Sequence, residues 1–274
     1  MSRDLVLSGA TRVLVIVGDP IAQVKSPAGV TAGLLARGRD AVVVPAHVAP
    51  AELDAYVEGT RLARNLDGII VTVPHKFAAC AHCATVTPRA RLLSAVNVMR
   101  RNDDGTWHGD MVDGLAFVSA MRLGGCEPRG KRALLAGAGG AGSAIALALL
   151  DEGVAELSIH DADAARREAL IARLSTVHTG RVRAGGADPA GFDIVANATP
   201  MGMREGDPYP VDVARLSAST FVGDVVTQPA VPPLIAAARA AGCRTHTGID
   251  MFNAVSELIV DFYCAAGPLA RPVA

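Results

Sequence analysis

The stretch KRALLAGAGGAGSAIALALL, Lys131 to Leu150, constrains the fold more than any other part of this chain. It predicts an apolar β-strand, a glycine turn and a helix start. Gly137, Gly139 and Gly142 stand in the spacing G-x-G-x-x-G. In that spacing the first glycine allows a tight turn and the second lets backbone N–H groups approach a pyrophosphate. The third lets helix and strand pack closely. The helix N-terminus adds unpaired N–H groups and the positive end of the helix dipole. A second strand, Glu156 to His160, ends at Asp161, 19 residues beyond Gly142. There the fingerprint expects an acid for the ribose hydroxyls. The expected dinucleotide contacts are therefore Gly137, Ala138, Gly139, Gly140, Ala141, Gly142 and Asp161. Two other readings compete. Ala133 to Leu150 is 18 residues without a charge, near the length of a short membrane span. Four glycines within 137–142, and charges crowding both ends, fit a buried strand–turn–helix better. The other is a glycine turn without a ligand, since the turn motif alone is not specific.

Composition narrows the remaining possibilities. At 274 residues the chain can form one large domain or two smaller ones. Half of it is hydrophobic and 19% is charged, which supports a sizeable core and argues against disorder. A net charge of −1 with no basic block disfavours nucleic acid as the main partner. Scarce aromatic residues leave no stacking platform for single strands. The N-terminal residues carry only a short apolar run, Val13 to Val17, before Gly18-Asp19-Pro20. That predicts no signal peptide, a cytoplasmic setting and no membrane partner. Five cysteines, an odd number, fit free thiols in a reducing compartment. Cys80 and Cys83 form a C-x-x-C around His82, but no second pair has zinc spacing, so no metal is expected.

Strands and helices alternate along the chain. Arg12–Val17, Ala41–Pro45 and Asp67–Val73 read as strands, with helices over Ser26–Arg37 and Ala49–Arg64 between them. Phe77–Ala84 reads as a helix. Leu93–Arg101 and Thr106–Gly109 read as a hairpin. After a connecting helix, Asp113–Leu123, comes the nucleotide unit, with further strands at Ile194–Ala196 and Phe221–Val226. Amphipathic Met251–Ala266 closes the chain as a helix. The fold class is α/β: an open, mostly parallel N-terminal sheet followed by a Rossmann-type unit.

In open α/β sheets ligands sit beyond the carboxyl ends of strands. The polar residues at those ends are the candidates. Lys76 follows the strand of IIVTVPHK, and Asp113 starts a helix after the hairpin. Ser26 starts another, and Asn97 lies inside the apolar SAVNV, where a buried amide needs a partner. Asn197 and Thr199 stand in the NATP loop after one strand, and Val225 stands at the end of the next. Each has a plainer reading: Ser26 and Asp113 as helix caps, Lys76 as a surface charge. His75 and Trp107 read as structural.

Taken together, GDPIAQVKSP, VTVPHK, SAVN, GDMVDG, GAGGAG, NATPMGM and GIDM resemble, in order and spacing, the shikimate and quinate dehydrogenases. The resemblance runs from Gly18 to about Tyr263. It implies two α/β domains around a cleft, 1–112 with 248–274 for substrate and 113–247 for cofactor. It also implies hydride exchange between a nicotinamide cofactor and a ring alcohol or ketone. Lys76 and Asp113 match the catalytic pair. Ser26, Thr72 and Asn97 match substrate contacts, and Gly248 and Met251 match the loop near the nicotinamide. The expected partner is a cyclic hydroxy acid, and the expected assembly a monomer or homodimer. A non-catalytic metabolite sensor on the same fold is the alternative, and the presence of both Lys76 and Asp113 speaks against it.

The chain departs from the family pattern where substrate is expected. Gln23-Val24 replaces His-Ser, Ile70 replaces Asn, and Met111-Val112 replaces Asn-Thr. Thr227 replaces Tyr, and Val255 replaces Gln. The expectation is a substrate with fewer hydroxyls, or a carboxylate held differently, by Lys25 or Gln23. On the cofactor side, Asp161-Ala162-Asp163 replaces the Asn-Arg-Thr of NADP-using relatives. Two carboxylates there suit free ribose hydroxyls and repel a 2′-phosphate, so NAD is expected over NADP. Arg166 and Arg167, one helical turn on, leave NADP use open.

Overall fold

A computed structural model describes residues 6–270 of the chain. It divides into two compact units, Met1–Val112 with Ser256–Ala274, and Asp113–Val255. The division falls inside the C-terminal helix, at 255/256 rather than at 248.

The first unit is built on a six-stranded sheet. Its strands are β1 (Arg12–Gly18), β2 (Ala41–His47), β3 (Leu66–Val71), β4 (Cys83–Val86), β5 (Val98–Arg101) and β6 (Trp107–Asp110). They lie in the order β2-β1-β3-β5-β6-β4, and β5 alone runs against the rest. All six residues of β3 are buried, as expected for a central strand covered on both faces. Helices α1 (Ser26–Ala36), α2 (Leu53–Thr60), α3 (Lys76–Cys80) and α4 (Pro88–Leu93) connect the strands. The helix expected over 77–84 is corrected. α3 stops at Cys80, and Cys83–Val86 forms β4 alongside β6. Thr87 then starts α4, its hydroxyl accepting from the Ala90 N–H, with Pro88 in the first turn, a position where proline loses no helical hydrogen bond.

The second unit opens with α5 (Asp113–Leu123). It continues through β7 (Arg132–Ala136), α6 (Gly140–Asp151), β8 (Glu156–His160), α7 (Ala164–Ser175), β9 (Val182–Ala184), β10 (Ile194–Asn197) and β11 (Phe221–Asp224). α8 (Pro233–Ala240), β12 (Arg244–His246) and α9 (Gly248–Ala265) follow, α9 passing into the first unit. The sheet order is β12-β11-β10-β7-β8-β9, parallel throughout. Counted within the unit, this is the 3-2-1-4-5-6 order of the doubly wound dinucleotide fold. Leu134, Val195 and Val222 from the sheet pack with Leu234, Ile235 and Ala238 of α8. Among the described residues no helix is long and apolar enough to cross a membrane. The uncharged run 133–150 is instead β7, the turn and α6, buried along most of its length.

Candidate active site

The strand order of the second unit reverses between β7 and β10, the switch point where ligands bind in such sheets. The glycine turn leaves β7 there. Gly137 has φ +102°, the left-handed region that favours glycine. A Cβ on it would sit 2.8 Å from the Ala198 carbonyl oxygen and 3.0 Å from Thr199 Cγ2. A Cβ on Gly142 would overlap the Gly137 carbonyl oxygen, so the third glycine is fixed by backbone packing. Gly139 differs. It has φ −73°, and a Cβ on it would meet nothing within 4 Å. As N-cap of α6 it offers no side chain to the first-turn N–H groups. An open position beside uncapped amides is the arrangement that admits a phosphate, so these residues fit a dinucleotide.

The loops leaving β10 and β11 complete this edge. Asn197 is fully buried and accepts, through Oδ1, from the Thr199 N–H at 3.0 Å and the Thr199 hydroxyl at 2.6 Å. The Val225 N–H donates to the Asn197 carbonyl oxygen at 3.1 Å. A Cβ on Gly248 would lie 2.6 Å from the Val225 carbonyl oxygen. Met251 follows in the first turn of α9, buried, its N–H on the Thr247 carbonyl. The structure thus gathers Gly137, Ala138, Asp161, Asn197, Thr199, Val225 and Gly248 along one sheet edge.

Asp161 is held by its own surroundings. Its Oδ2 accepts from the Ala138 N–H at 2.7 Å and its Oδ1 from the Asp163 N–H at 2.8 Å. Arg166 Nη2 reaches the same Oδ1 at 3.1 Å and lies 3.7 Å from Asp163 Oδ2. Burial raises the Asp161 pKa. The two backbone bonds and Arg166 outweigh it and hold the carboxyl below its ordinary value.

Asp113 heads α5 and is buried. The glycine beside it has a packing reason: a Cβ on Gly114 would overlap the Ala144 carbonyl oxygen of α6. Close helix approach therefore fixes where α5 begins.

In the first unit, Thr72, Lys76 and Asn97 come together at the carboxyl end of β3. The Thr72 N–H donates to the Val17 carbonyl at 3.0 Å, and the Val71 N–H to the Asn97 carbonyl at 2.7 Å. The Val96 N–H donates to the Lys76 carbonyl at 2.9 Å. Gly18 has no room for a side chain, since a Cβ would overlap Thr72 Cγ2. Lys76 is the first residue of α3 and half-buried. Asn97 Oδ1 accepts from the Val112 N–H at 2.9 Å, which meets the buried amide's need for a partner. Ser26 is buried at the start of α1 but does not cap it; the cap position is Lys25, without a side-chain bond. His75 is buried, its Nε2 donating to the Val48 carbonyl at 2.8 Å. Ile70, Met111 and Val112 are all buried in this unit. Lys76 belongs to the first unit and Asp113 to the second.

The family model for the shikimate dehydrogenase substrate binding domain matches residues 16–99. A protein of Rubrobacter xylanophilus named shikimate dehydrogenase (NADP(+)) is 40% identical over 248 residues, covering 88% of this chain and 87% of that protein. The chain belongs to the shikimate dehydrogenase family. Further relatives, 33–37% identical, carry the same name. The solved structure of shikimate 5-dehydrogenase from Thermus thermophilus with NADP(H) and shikimate has a TM-score of 0.84 at 26% identity. The match covers 94% of this chain and 95% of that one. The 5-ketofructose reductase of a Gluconobacter strain has a TM-score of 0.83 at 29% identity, covering 93% of this chain and 94% of that one.

These relatives correct the expectation of NAD over NADP, because the curated relatives are NADP(+) enzymes by name. The structure supplies the physical reason the acid rule misleads here. Asp161 already accepts from two backbone N–H groups and pairs with Arg166, a cation at the place where the rule expects an unpaired acid. It is a clamp on the glycine turn, and Arg166 stands between it and Asp163. Sequence reasoning did not single out Asp224, buried at the end of β11 and bonded to Asn197. Its signal was the one that marked Asn197: a polar residue ending an apolar strand.

Proposed function

We propose that this chain is an NADP-dependent dehydrogenase of the shikimate/quinate type, interconverting a ring hydroxyl and a ketone. The observation that carries the reading is the sheet edge at the switch point, with an open glycine turn and uncapped α6 amides, in a chain of this family. The first unit takes the substrate and the second the cofactor. The 137–142 turn would hold the pyrophosphate and Arg166 the 2′-phosphate end. Asn197, Thr199, Val225, Gly248 and Met251 would hold the nicotinamide end. A nicotinamide cofactor held there would supply a hydride acceptor for the carbinol carbon in oxidation and a hydride donor in reduction.

The chain's own residues handle the proton. As hydride leaves, the substrate hydroxyl must lose its proton. Lys76, in its amine form, takes that proton and hydrogen-bonds the oxygen while it carries alkoxide character. Asp113 is the second residue of the catalytic pair that the family resemblance implies. Asn97 fixes Val112, the residue before Asp113. Ser26 and Thr72 contact the substrate. In reduction the ammonium returns the proton to the carbonyl oxygen, so atoms and charge balance in both directions.

The substrate carries fewer hydroxyls than shikimate, or its carboxylate is bound differently. Ile70, Val112 and Val255 stand where the family pattern, by the resemblance of the motifs, has polar residues. Losing two or three buried hydrogen bonds, at about 1–1.5 kcal/mol each, lowers shikimate efficiency roughly a hundredfold. Steady-state NADP+ reduction with shikimate, quinate and less hydroxylated acids tests this. A shikimate efficiency above about 10⁵ M⁻¹s⁻¹, inside the usual enzyme range, rejects the altered substrate.

A further inference from the structure

One buried carboxyl in the second unit has no part in the hydride and proton chemistry. Asp224 closes β11 with 0% exposure. Its Oδ1 accepts twice, from Asn197 Nδ2 at 3.1 Å and from the Val226 N–H at 2.9 Å. Its Oδ2 is buried without a hydrogen-bond partner. Asn197 passes the link on through Oδ1 to Thr199, and its Nδ2 also donates to the Met201 carbonyl at 3.3 Å. The Thr199 hydroxyl oxygen accepts from the Met201 N–H at 3.2 Å. One carboxyl oxygen therefore ties together the two loops that leave β10 and β11. Those loops meet the glycine turn at Gly137 and the start of α9 at Gly248.

A buried polar atom without a partner costs about 1–3 kcal/mol, which leaves Oδ2 unexplained by packing, while Oδ1 answers two buried donors that an apolar residue would leave unpaired. Packing alone does not account for an acid here. We propose that Asp224 is a positioning residue whose Oδ1 sets the spacing of loops 198–201 and 225–227, so that they receive the nicotinamide end of the dinucleotide. The inference rests on the dinucleotide reading above and adds a residue to it.

The titration of Asp224 supports the same role. Burial pushes its carboxyl up to about 7, against the opposing bonds from Val226 and Asn197. Near neutral pH it is close to half protonated, and asparagine mimics the protonated form, keeping an acceptor at Oδ1. Asn197 faces it from β10. On β12 the titratable group is His246, whose ring lies against Gly223 and whose pKa burial holds down to about 4. The carboxylate at the head of α9, Asp250, is engaged by the N–H and hydroxyl of Thr247.

Calorimetric titration of the full chain with NADP+, for wild type, Asp224→Asn and Asp224→Leu, tests the inference, with circular dichroism reporting folding. Asp224→Leu removes the shared acceptor and should weaken NADP+ at least tenfold, while Asp224→Asn stays within about threefold of wild type at pH 7. A tenfold change is about 1.4 kcal/mol. Binding by Asp224→Leu within threefold of wild type overturns the proposal. If Asp224→Leu does not fold, the pH profile decides. Wild-type affinity should change between pH 6 and 8 by an amount missing in Asp224→Asn, and identical profiles overturn it. Absence of NADP+ binding by wild type would instead reject the dinucleotide reading itself.

Discussion

Two single-methyl substitutions in the glycine turn should have opposite consequences, and the pair separates folding from cofactor binding. A methyl at Gly142 would overlap the Gly137 carbonyl oxygen and stand 2.8 Å from the Gly137 carbonyl carbon. Both are backbone atoms of a turn already in the left-handed region, so neither can swing aside as a side-chain end would. Overpacking of this kind costs roughly 1–3 kcal/mol, and a backbone obstacle places it near 3. For a chain of this size that lowers Tm by about 6–12 °C, at roughly 2–4 °C per kcal/mol. Gly139→Ala meets open space at an ordinary φ of −73°. Its folding stability should be unchanged or raised by up to about 1 kcal/mol, since alanine restricts the unfolded chain. The added methyl instead occupies the approach to the α6 amides, and NADP+ affinity should fall at least tenfold, about 1.4 kcal/mol. Thermal unfolding without ligand and calorimetric titration with NADP+ read the two effects. The reasoning is refuted if Gly139→Ala binds NADP+ like wild type, or if Gly142→Ala melts at the wild-type temperature.

Two further outcomes follow from the same unit. Arg166→Ala leaves Asp161 with its two backbone bonds, so stability should change by less than about 1 kcal/mol, given the half-exposed arginine. NADP+ affinity should fall about tenfold on loss of a charge-assisted phosphate contact, read by the same titration. His246 is buried beside Phe117 and Phe221, with its pKa lowered to about 4. Between pH 6.5 and 4 the unfolded chain binds the proton and the folded chain does not. The contribution is therefore present above the unfolded pKa and is lost as pH falls through the folded one, up to about 3 kcal/mol. Urea unfolding at pH 7 and pH 4 should show wild type losing that much more stability than His246→Leu; equal losses would contradict it.

How much of this was legible in the sequence depends on whether a signal was local. The nucleotide unit was, because β7, the glycine spacing and α6 each follow from adjacent residues. β8 and α5 were read with the bounds the structure shows. β4 and β9 were not. They are four and three residues long, largely exposed, and lie at sheet edges, so neither buries the alternating face that marks a strand. α4 did have a local signal, Thr87-Pro88, but the helix assigned just before it concealed the break. At the candidate site, residue types at strand ends marked Lys76, Asn97, Asn197 and Thr199 as candidates. What those residues bond to was hidden. Asp161 reads as a ribose acceptor until Ala138, Asp163 and Arg166 are seen to occupy it. Asp224 acquires meaning only through Asn197, 27 residues earlier and one strand away.

The central claim is that Lys76 moves the proton in a hydride transfer linked to NADP. The most direct measurement is NADP+ reduction, followed from pH 7 to 9 at saturating cofactor, with shikimate, quinate and less hydroxylated ring acids, for wild type and Lys76→Ala. The account predicts turnover of at least one of these acids by wild type. It predicts a loss of roughly 10²–10⁴ in kcat for Lys76→Ala, with NADP+ affinity kept. Turnover by Lys76→Ala at the wild-type rate, or no reduction of NADP+ by wild type with any ring hydroxy acid, would contradict it.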